Sequence, residues 1–419
     1  MNHKIKFLLW VLIFIYFINP LQILAAQSVV QQDIEIYLQD KTFIARGQLD
    51  LKILKSSGDA AEVIQYAIDA MPDDGGEVLL NRGTYNLIQP ISLKNRVWLH
   101  GKGRGTLLLV TPLNTEGIGI KCKGLKGTVV SDLAIKPKST DSAQAGLVID
   151  DCGDCQFRNI FCQGFSQYGI WMRNGSFLCE ISGCQLADNA SANIYCENLA
   201  ISRGGNFLPN LINNCTVYGG GHGIECKKSL VINIVGCIVF QTKQYGFYVH
   251  TGSNSVLISG CRTYQIEKES VVIERAHEAN ISSNIFCWHR GHGIVIDGVA
   301  WATVTANNII DSGVRSRDGS EKIGIVLKNE SRGIQISGNN LFNWGNQVPM
   351  LNGIEEDVTC YNNQMVSNNI NYFVGTAIVS NGTNTLVKDN VSAGSKAFIH
   401  GKVPYPDFDT LKIEKFFND

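Results

Sequence analysis

Ten short stretches of this 419-residue chain repeat one pattern: glycine or a small residue, apolar, any, apolar, polar. They run from GIGIKC at 117–122 through GIWMRN at 169–174, GIECKK at 223–228 and GIVIDG at 293–298 to AIVSNG at 377–382, at intervals of roughly two dozen residues. A period of this size with strand-type alternation makes each repeat one rung of a stack, unable to bury its apolar face until a neighbour covers it. The chain therefore reads as a solenoid.

A second marker keeps the same beat: Asn159, Cys184, Cys215, Cys237, Cys261, Asn284, Asn308, Asn340, Asn369 and Asn390, each in a turn-like setting such as ISGC or SGNN. Short polar residues tolerate left-handed turns and bond their own backbone, which suits a corner that must be turned alike in every coil. Helical repeats would need a three-to-four-residue apolar period and fewer glycines than the 42 present. The expected fold is all-β, a single-stranded parallel β-helix. A helix at its N-terminal end would cap it.

The domain reading has four parts. Residues 1–26 are an export signal: Lys4 and Lys6 precede the apolar run Phe7–Ile18, Pro20 breaks it, and Ala25-Ala26 offers small residues for cleavage. Residues 27–110 hold the cap and first coils, 111–403 the β-helix, and 404–419 a tail whose apolar residues would close the far end. Within the cap, Asp59–Met71 reads as an amphipathic helix with Asp59 and Glu62 as a capping pair and Pro72 as its stop. The expected location is secreted, periplasmic or on the cell surface. With 36 basic and 37 acidic residues, the chain has no electrostatic footprint for nucleic acid and none for a membrane surface once the signal is gone.

Thirteen cysteines in an exported chain suggest disulfides, yet their spacing argues against them. Cys184, Cys215, Cys237 and Cys261 share the turn position, and Cys196 and Cys226 share an inward strand position. They read as ladders of small core residues. Cys152 and Cys155 have no second pair at metal-binding spacing, so no metal is expected.

The run GDAAEVIQYAIDAMPDDGGEVLLNRGTYNL (58–87), followed by LKNRVWLHGKGRGTLLLV (93–110), resembles the opening of the pectate-lyase-like right-handed β-helix superfamily, in particular the rhamnogalacturonase and epimerase-like members. That resemblance implies that the β-helix is right-handed and that polysaccharide is the substrate class, with trimers among related folds, but no particular reaction. The catalytic signatures of polygalacturonases, calcium pectate lyases and alginate epimerases are absent as sets: Asp150-Asp151 and two GHG triplets are present, whereas NTD and RIK are not.

Alternation along the repeated strand sends its second and fourth residues inward and its third and fifth outward. The outward fifth positions are Arg173, Glu197, Lys227, His250, Glu274, Asp297 and Lys328. The outward third positions include Trp171, Tyr195, Glu225 and Tyr248, and the preceding turns add Tyr168, His222, Tyr245 and His292. Such a stripe suits an extended sugar chain, since aromatics stack on pyranose faces and carboxylates serve as acid and base. It also suits a solvated sheet face whose alternating charges support adjacent rungs. His222, His250, His289 and His292, four of eight histidines, fall on three adjacent rungs, which favours chemistry there. The longer spacings at Ser202–Pro209, Ser312–Lys322 and Trp344–Asp357 read as inserts walling a groove.

The functional expectation is an exported enzyme cleaving glycosidic bonds in a uronate-containing polysaccharide. Under hydrolysis, Glu274 and Asp297 form the carboxylate pair, repulsion raises one pKa, His250 and His292 tune protonation, and Glu225 is the alternative acid. Under elimination or epimerisation, Lys227 or His250 takes a proton beside a uronate carboxylate and Arg290 or Arg275 neutralises it. Calcium would be the cation such a lyase enlists, although no Asp-rich cluster is evident. Trp171, Arg173, Tyr195, His222, Tyr245, Tyr248 and His289 complete the substrate-binding set. A glycan-binding or structural surface protein is the non-catalytic alternative.

Overall fold

The computed structural model of the chain describes residues 33–139, 143–199, 208–313, 322–343 and 350–393. The export segment 1–26 and the tail 404–419 lie outside these residues, as do most of the inserts at 202–209 and 312–322 and the start of that at 344–357.

Each coil makes three short strands that pair in parallel with the coils on either side. Asn254–Ser259, Arg262–Ile266 and Val271–Glu274, for example, pair with Asn280–Ser282, Ile285–His289 and Ile294–Asp297 of the next coil. Repetition builds three long sheets, here called first, second and third in the order that a coil visits them, with 16, 13 and 12 strands. Inward residues of all three meet in one continuous core, so each rung is completed by its neighbours, as the period requires.

The corner between the first and second sheets shows why the Cys and Asn markers recur. A single left-handed residue makes the turn, such as Gly260 (φ 63°), Ser283 (φ 58°), Ala306 (φ 55°) or Gly338 (φ 64°), and the next residue points inward. Asn307 there donates from Nδ2 to Ile281 O of the preceding coil and to Asn339 Oδ1 of the following one, both at 2.9 Å. Its backbone N–H donates to the same Asn339 Oδ1 at 3.0 Å. The cysteines fill the same place: Cys237 Sγ faces Ile212 O and Val235 O at 3.7 and 3.6 Å. Thiol and amide thus serve one corner, satisfying backbone groups that no water reaches.

Asn284 and Asn390 take the corner as expected; in the coils between them the corner asparagines are Asn307, Asn339 and Asn368, one residue before the expected Asn308, Asn340 and Asn369. Each belongs to an Asn-Asn pair, and the second member points outward into its own ladder, with Asn340 Nδ2 donating to Asn308 Oδ1 at 3.2 Å and Asn369 Nδ2 to Asn340 Oδ1 at 3.1 Å. Asn159 is itself the left-handed residue (φ 53°), and Ile160 takes the buried place.

At the N-terminal end the helix Ala60–Asp69 buries Ala61, Val63, Ile64, Ala67 and Ile68 over the first coil. Asp59 caps it by accepting from Ala61 N at 2.9 Å. Glu62 does not complete the expected capping pair. It accepts from Ser57 Oγ at 2.6 Å and pairs with Lys55 at 2.5 Å, tying the helix to the strand Ile53–Ser57. That strand and the hairpin Ile34–Gln39/Thr42–Gly47 extend the first sheet in antiparallel fashion.

All thirteen cysteines are buried free thiols, and Cys196 and Cys226 stand in register on adjacent rungs. Thiol titration after unfolding without reductant should therefore recover close to the full complement. Recovery of a single thiol would mean a disulfide framework instead.

Candidate active site

The third sheet carries the site. Its register aligns Asp150, Arg173, Glu197, Lys227, His250, Glu274, Asp297 and Lys328 in one column. Trp171, Tyr195, Glu225, Tyr248, Val272 and Val295 stand in the column beside it. Both columns are those expected from alternation, but the second is less open than a bare sheet face. Tyr195, Val272 and Val295 are buried, at 5–7 % exposure, although they point out of the core.

The chemistry concentrates on three rungs. Tyr248 and His250 stack face to face, with ring centroids 4.1 Å apart and planes 4° from parallel. Each holds a different carboxylate. The Tyr248 hydroxyl donates to Glu274 Oε2 at 2.7 Å, and His250 Nε2 meets Glu225 Oε1 at 3.0 Å, while His250 Nδ1 meets the Thr251 hydroxyl at 3.1 Å. A carboxylate can only accept, so Nε2 holds a proton toward Glu225 while Nδ1 faces the Thr251 hydroxyl. Burial, with the Glu274 carboxylate beside it, pushes the Tyr248 phenol above its ordinary value, so it keeps its proton at neutral pH. His222 packs between Tyr245 and Tyr248 at 5.2 and 5.1 Å and accepts from Tyr245 N through Nδ1; burial lowers its pKa and keeps it neutral.

Glu274 and Asp297 are register partners on adjacent rungs, but their repulsion does not govern Glu274. Arg275 bonds Glu274 through two nitrogens, and with the Tyr248 hydroxyl it holds the carboxyl below the usual range despite partial burial. The expectation of a raised pKa fails here for lack of an opposing cation in the sequence argument. Asp297 has its own partners: Lys328 at 3.3 Å and the Asn329 amide, which donates at 2.7 Å. These residues border an open depression of about 440 Å³ lined by Glu274, Arg275, Asp297, Asn329, Glu330 and Arg332.

The residues that turn back onto this column share one position, and of them only Arg275 was expected from the sequence. Asn174, Thr251, Arg275 and Asn329 directly follow the fifth column, and all are left-handed (φ 45–55°). From there their side chains turn back onto it: Asn174 donates to Asp150, Thr251 meets His250, Arg275 bonds Glu274 and Asn329 donates to Asp297. The signal was a polar sixth residue in most repeats, as in GIWMRN, GFYVHT and GIVLKN.

Two expected members stand elsewhere. His289 is fully buried in the second sheet, bonded to Ser270 Oγ at 3.1 Å and Ser312 Oγ at 2.8 Å, and its pKa falls to about 3 through burial. It faces the core and cannot meet a substrate. Arg290 follows it at the corner entering the third sheet, pairs with Glu267 at 3.4 Å and stands at the opposite end of the strand from Asp297. His292 lies at that same entry and accepts from Ile323 N through Nδ1 at 3.0 Å. Arg173 bridges to Asp150 at 2.8 Å, and Lys227 lies 4.0 Å from Glu197.

Among known families, the right handed beta helix region matches residues 117–263, and the periplasmic copper-binding protein family NosD matches residues 206–399. A comparison with curated proteins found no match. Similar solved structures include the A-module of an Azotobacter vinelandii mannuronan C-5 epimerase, with TM-score 0.68 and 17 % identity over 80 % of this chain and 95 % of that one. A surface adhesin of Streptococcus pneumoniae gives 0.55 and 15 % over 80 % and 87 %. The catalytic unit of an α-1,3-glucanase from Streptomyces thermodiastaticus gives 0.52 and 12 % over 84 % and 68 %. These likenesses show the fold, a right-handed parallel β-helix.

Copper does not fit the residues present. Among the described residues no three His, Cys, Asp or Glu side chains are grouped to hold a metal ion. The stacked thiols within the matched segment are also poor metal ligands, because donating a hydrogen bond to the neighbouring thiol, and then burial, push Cys226, Cys237 and Cys261 well above the ordinary thiol value. Among the described residues no helix is long and apolar enough to cross a membrane.

Proposed function

We propose that the protein is an exported enzyme that binds an extended uronate-containing polysaccharide along its third sheet and acts by taking the proton beside the uronate carboxylate. The observation that carries this reading is the stacked Tyr248–His250 pair with each ring bonded to its own carboxylate. Hydrolysis needs a carboxyl that holds its proton near neutrality, and Glu274 is held in the opposite sense. A histidine whose Nε2 is held by a carboxylate and whose Nδ1 meets only a rotatable hydroxyl, stacked on a protonated phenol, instead offers a base and an acid.

In this reading His250 Nδ1 removes the proton from C5 and Glu225 stabilises the imidazolium that forms. Lys227, in register beside His250, faces the substrate carboxylate. The C5–H electrons form the C4–C5 double bond, the C4–O bond breaks, and the departing oxygen takes the Tyr248 proton, while Arg275 offsets the charge gathering at Tyr248 and Glu274. Return of a proton to C5 from the other side, with the C4–O bond intact, would give the epimer. The similarity to a mannuronan epimerase module and a glucanase supports a glycan partner, and the periplasmic family match, the surface adhesin and the N-terminal export signature support location outside the cytoplasm.

Incubation of the mature chain with mannuronan, polygalacturonate and a neutral glucan tests the reaction. The expected product carries the ultraviolet absorbance of an unsaturated uronate. New reducing ends without that absorbance would establish hydrolysis, solvent deuterium at C5 in intact chains would establish epimerisation, and binding without product would leave a glycan-binding protein.

A further inference from the structure

An apolar patch lies outside the solenoid at one end of the polar column. Ile118, Ala145 and Val148 are buried on the outward side of the third sheet, and Tyr168 and Trp171 pack over them. Core residues of a β-helix face inward, so an outer cluster roofed by aromatic rings has no role in closing the coil.

The rings are held in place. Tyr168 stacks on the buried Tyr195 at 4.6 Å and 19°, and contacts Trp171 at 5.0 Å. The Arg173 guanidinium lies 4.1 Å from the Trp171 ring and is anchored by Asp150 through Nε at 2.9 Å. Both Tyr168 and Trp171 remain partly exposed. The Trp171 indole Nε1 is covered and has no hydrogen-bond partner, an unusual state for a buried indole.

Register fixes the distance to the chemistry. Trp171, Tyr195, Glu225 and Tyr248 are successive partners, so the platform lies three rungs from the acid–base centre. At ~4.8 Å per rung that is about 14 Å, comparable to about three pyranose rings of an extended chain.

Building on the polysaccharide reading above, we propose that Tyr168 and Trp171, backed by Tyr195 and Arg173, form a stacking subsite for a pyranose ring of the same chain that reacts at Tyr248 and His250. The apolar face of the sugar lies on the rings, its hydroxyls meet Arg173, and the uronate carboxylates are met elsewhere, at Lys227. The subsite sets the shortest chain that the protein grips well, because an oligomer too short to span three rungs can occupy the platform or the centre but not both.

Mannuronate and galacturonate oligomers of two to eight residues, titrated into the full chain by calorimetry and by tryptophan fluorescence, test this. Affinity should step up by about tenfold or more once the oligomer spans both positions. Trp171→Ala should abolish the step, Trp171→Phe should retain most of it, and Tyr248→Phe should keep the step even where turnover is lost. Melting curves of each variant check that the fold persists. A length dependence without a step, or a step that survives in Trp171→Ala, would overturn the subsite. Loss of turnover readings with the step intact would instead count against the proposed reaction. A concentration-dependent dimer in sedimentation that Trp171→Ala dissolves would assign the platform to a second copy of the chain and reject the sugar.

Discussion

Tyr248→Phe is expected to lower kcat/KM on a uronate polysaccharide by roughly 10²–10⁴-fold, the usual worth of one positioned proton donor, while the fold stays nearly as stable. The substitution removes one oxygen and leaves the ring. The phenyl group keeps its stack on His250 and its contacts with His222 and Tyr245. Glu274 loses a donor but keeps Arg275, and it is partly solvated, so the structural cost should be about 1 kcal/mol or less. His250→Gln should fall comparably, for a different reason: an amide can hold Glu225 but cannot accept a proton from carbon. The two variants together should lose little more than either alone, since acid and base act in one step. Steady-state kinetics with melting curves check both. Wild-type turnover in Tyr248→Phe would remove the phenol from the reaction, and an unfolded variant would show that it serves the rung instead.

The rungs, their phase and both outward columns were legible in the sequence, because alternation in a parallel stack leaves each residue only two faces, and glycine precedes the apolar run in most of the ten repeats. What was not legible follows from single left-handed residues. His289 reads as outward if the strand Ile285–His289 alternates throughout, but Trp288 sits at φ 54°, which reverses the parity and sends His289 into the core. The Asn-Asn pairs at the corners carry the same ambiguity of one residue, and only the backbone shows which member turns in. Glu274 illustrates a third kind of gap. Its pKa was argued from the carboxylate across the rung, whereas the residue that decides it is its own neighbour in the chain, Arg275, folded back by a left-handed turn. Aromatic packing on the outward face was hidden for another reason: column positions predict which way Tyr195 points but not that Tyr168 lies over it.

Acid should loosen this β-helix well above the range where carboxylates titrate, and His289 is the reason. The ring is fully buried, with Ser270 on one nitrogen and Ser312 on the other, and Thr263 bonded in turn to Ser270 at 2.8 Å. No carboxylate bonds it, so a proton added there would place an unpaired charge in the core, and its pKa falls from 6.5 to about 3. The folded chain thus binds fewer protons than the unfolded one between these values. Stability contributed by the neutral ring is complete above pH 6.5 and is lost as the pH falls from there toward 3, by up to about 1.4 kcal/mol per pH unit. His222, lowered by burial in the same direction, adds a smaller share because it is less enclosed. Carboxylates held low, Glu35, Glu274 and Asp357, act only below their ordinary values of 4.5 and 3.8, so the window from pH 6.5 to 4.5 isolates the histidines. Urea midpoints measured at intervals across that window should fall steadily in the wild type. His289→Gln should start lower at pH 7.5, because the amide cannot reproduce both serine bonds, by about 1–3 kcal/mol, yet should lose much less on acidification. Curves for the two proteins that fall in parallel would place the acid-sensitive group somewhere other than His289.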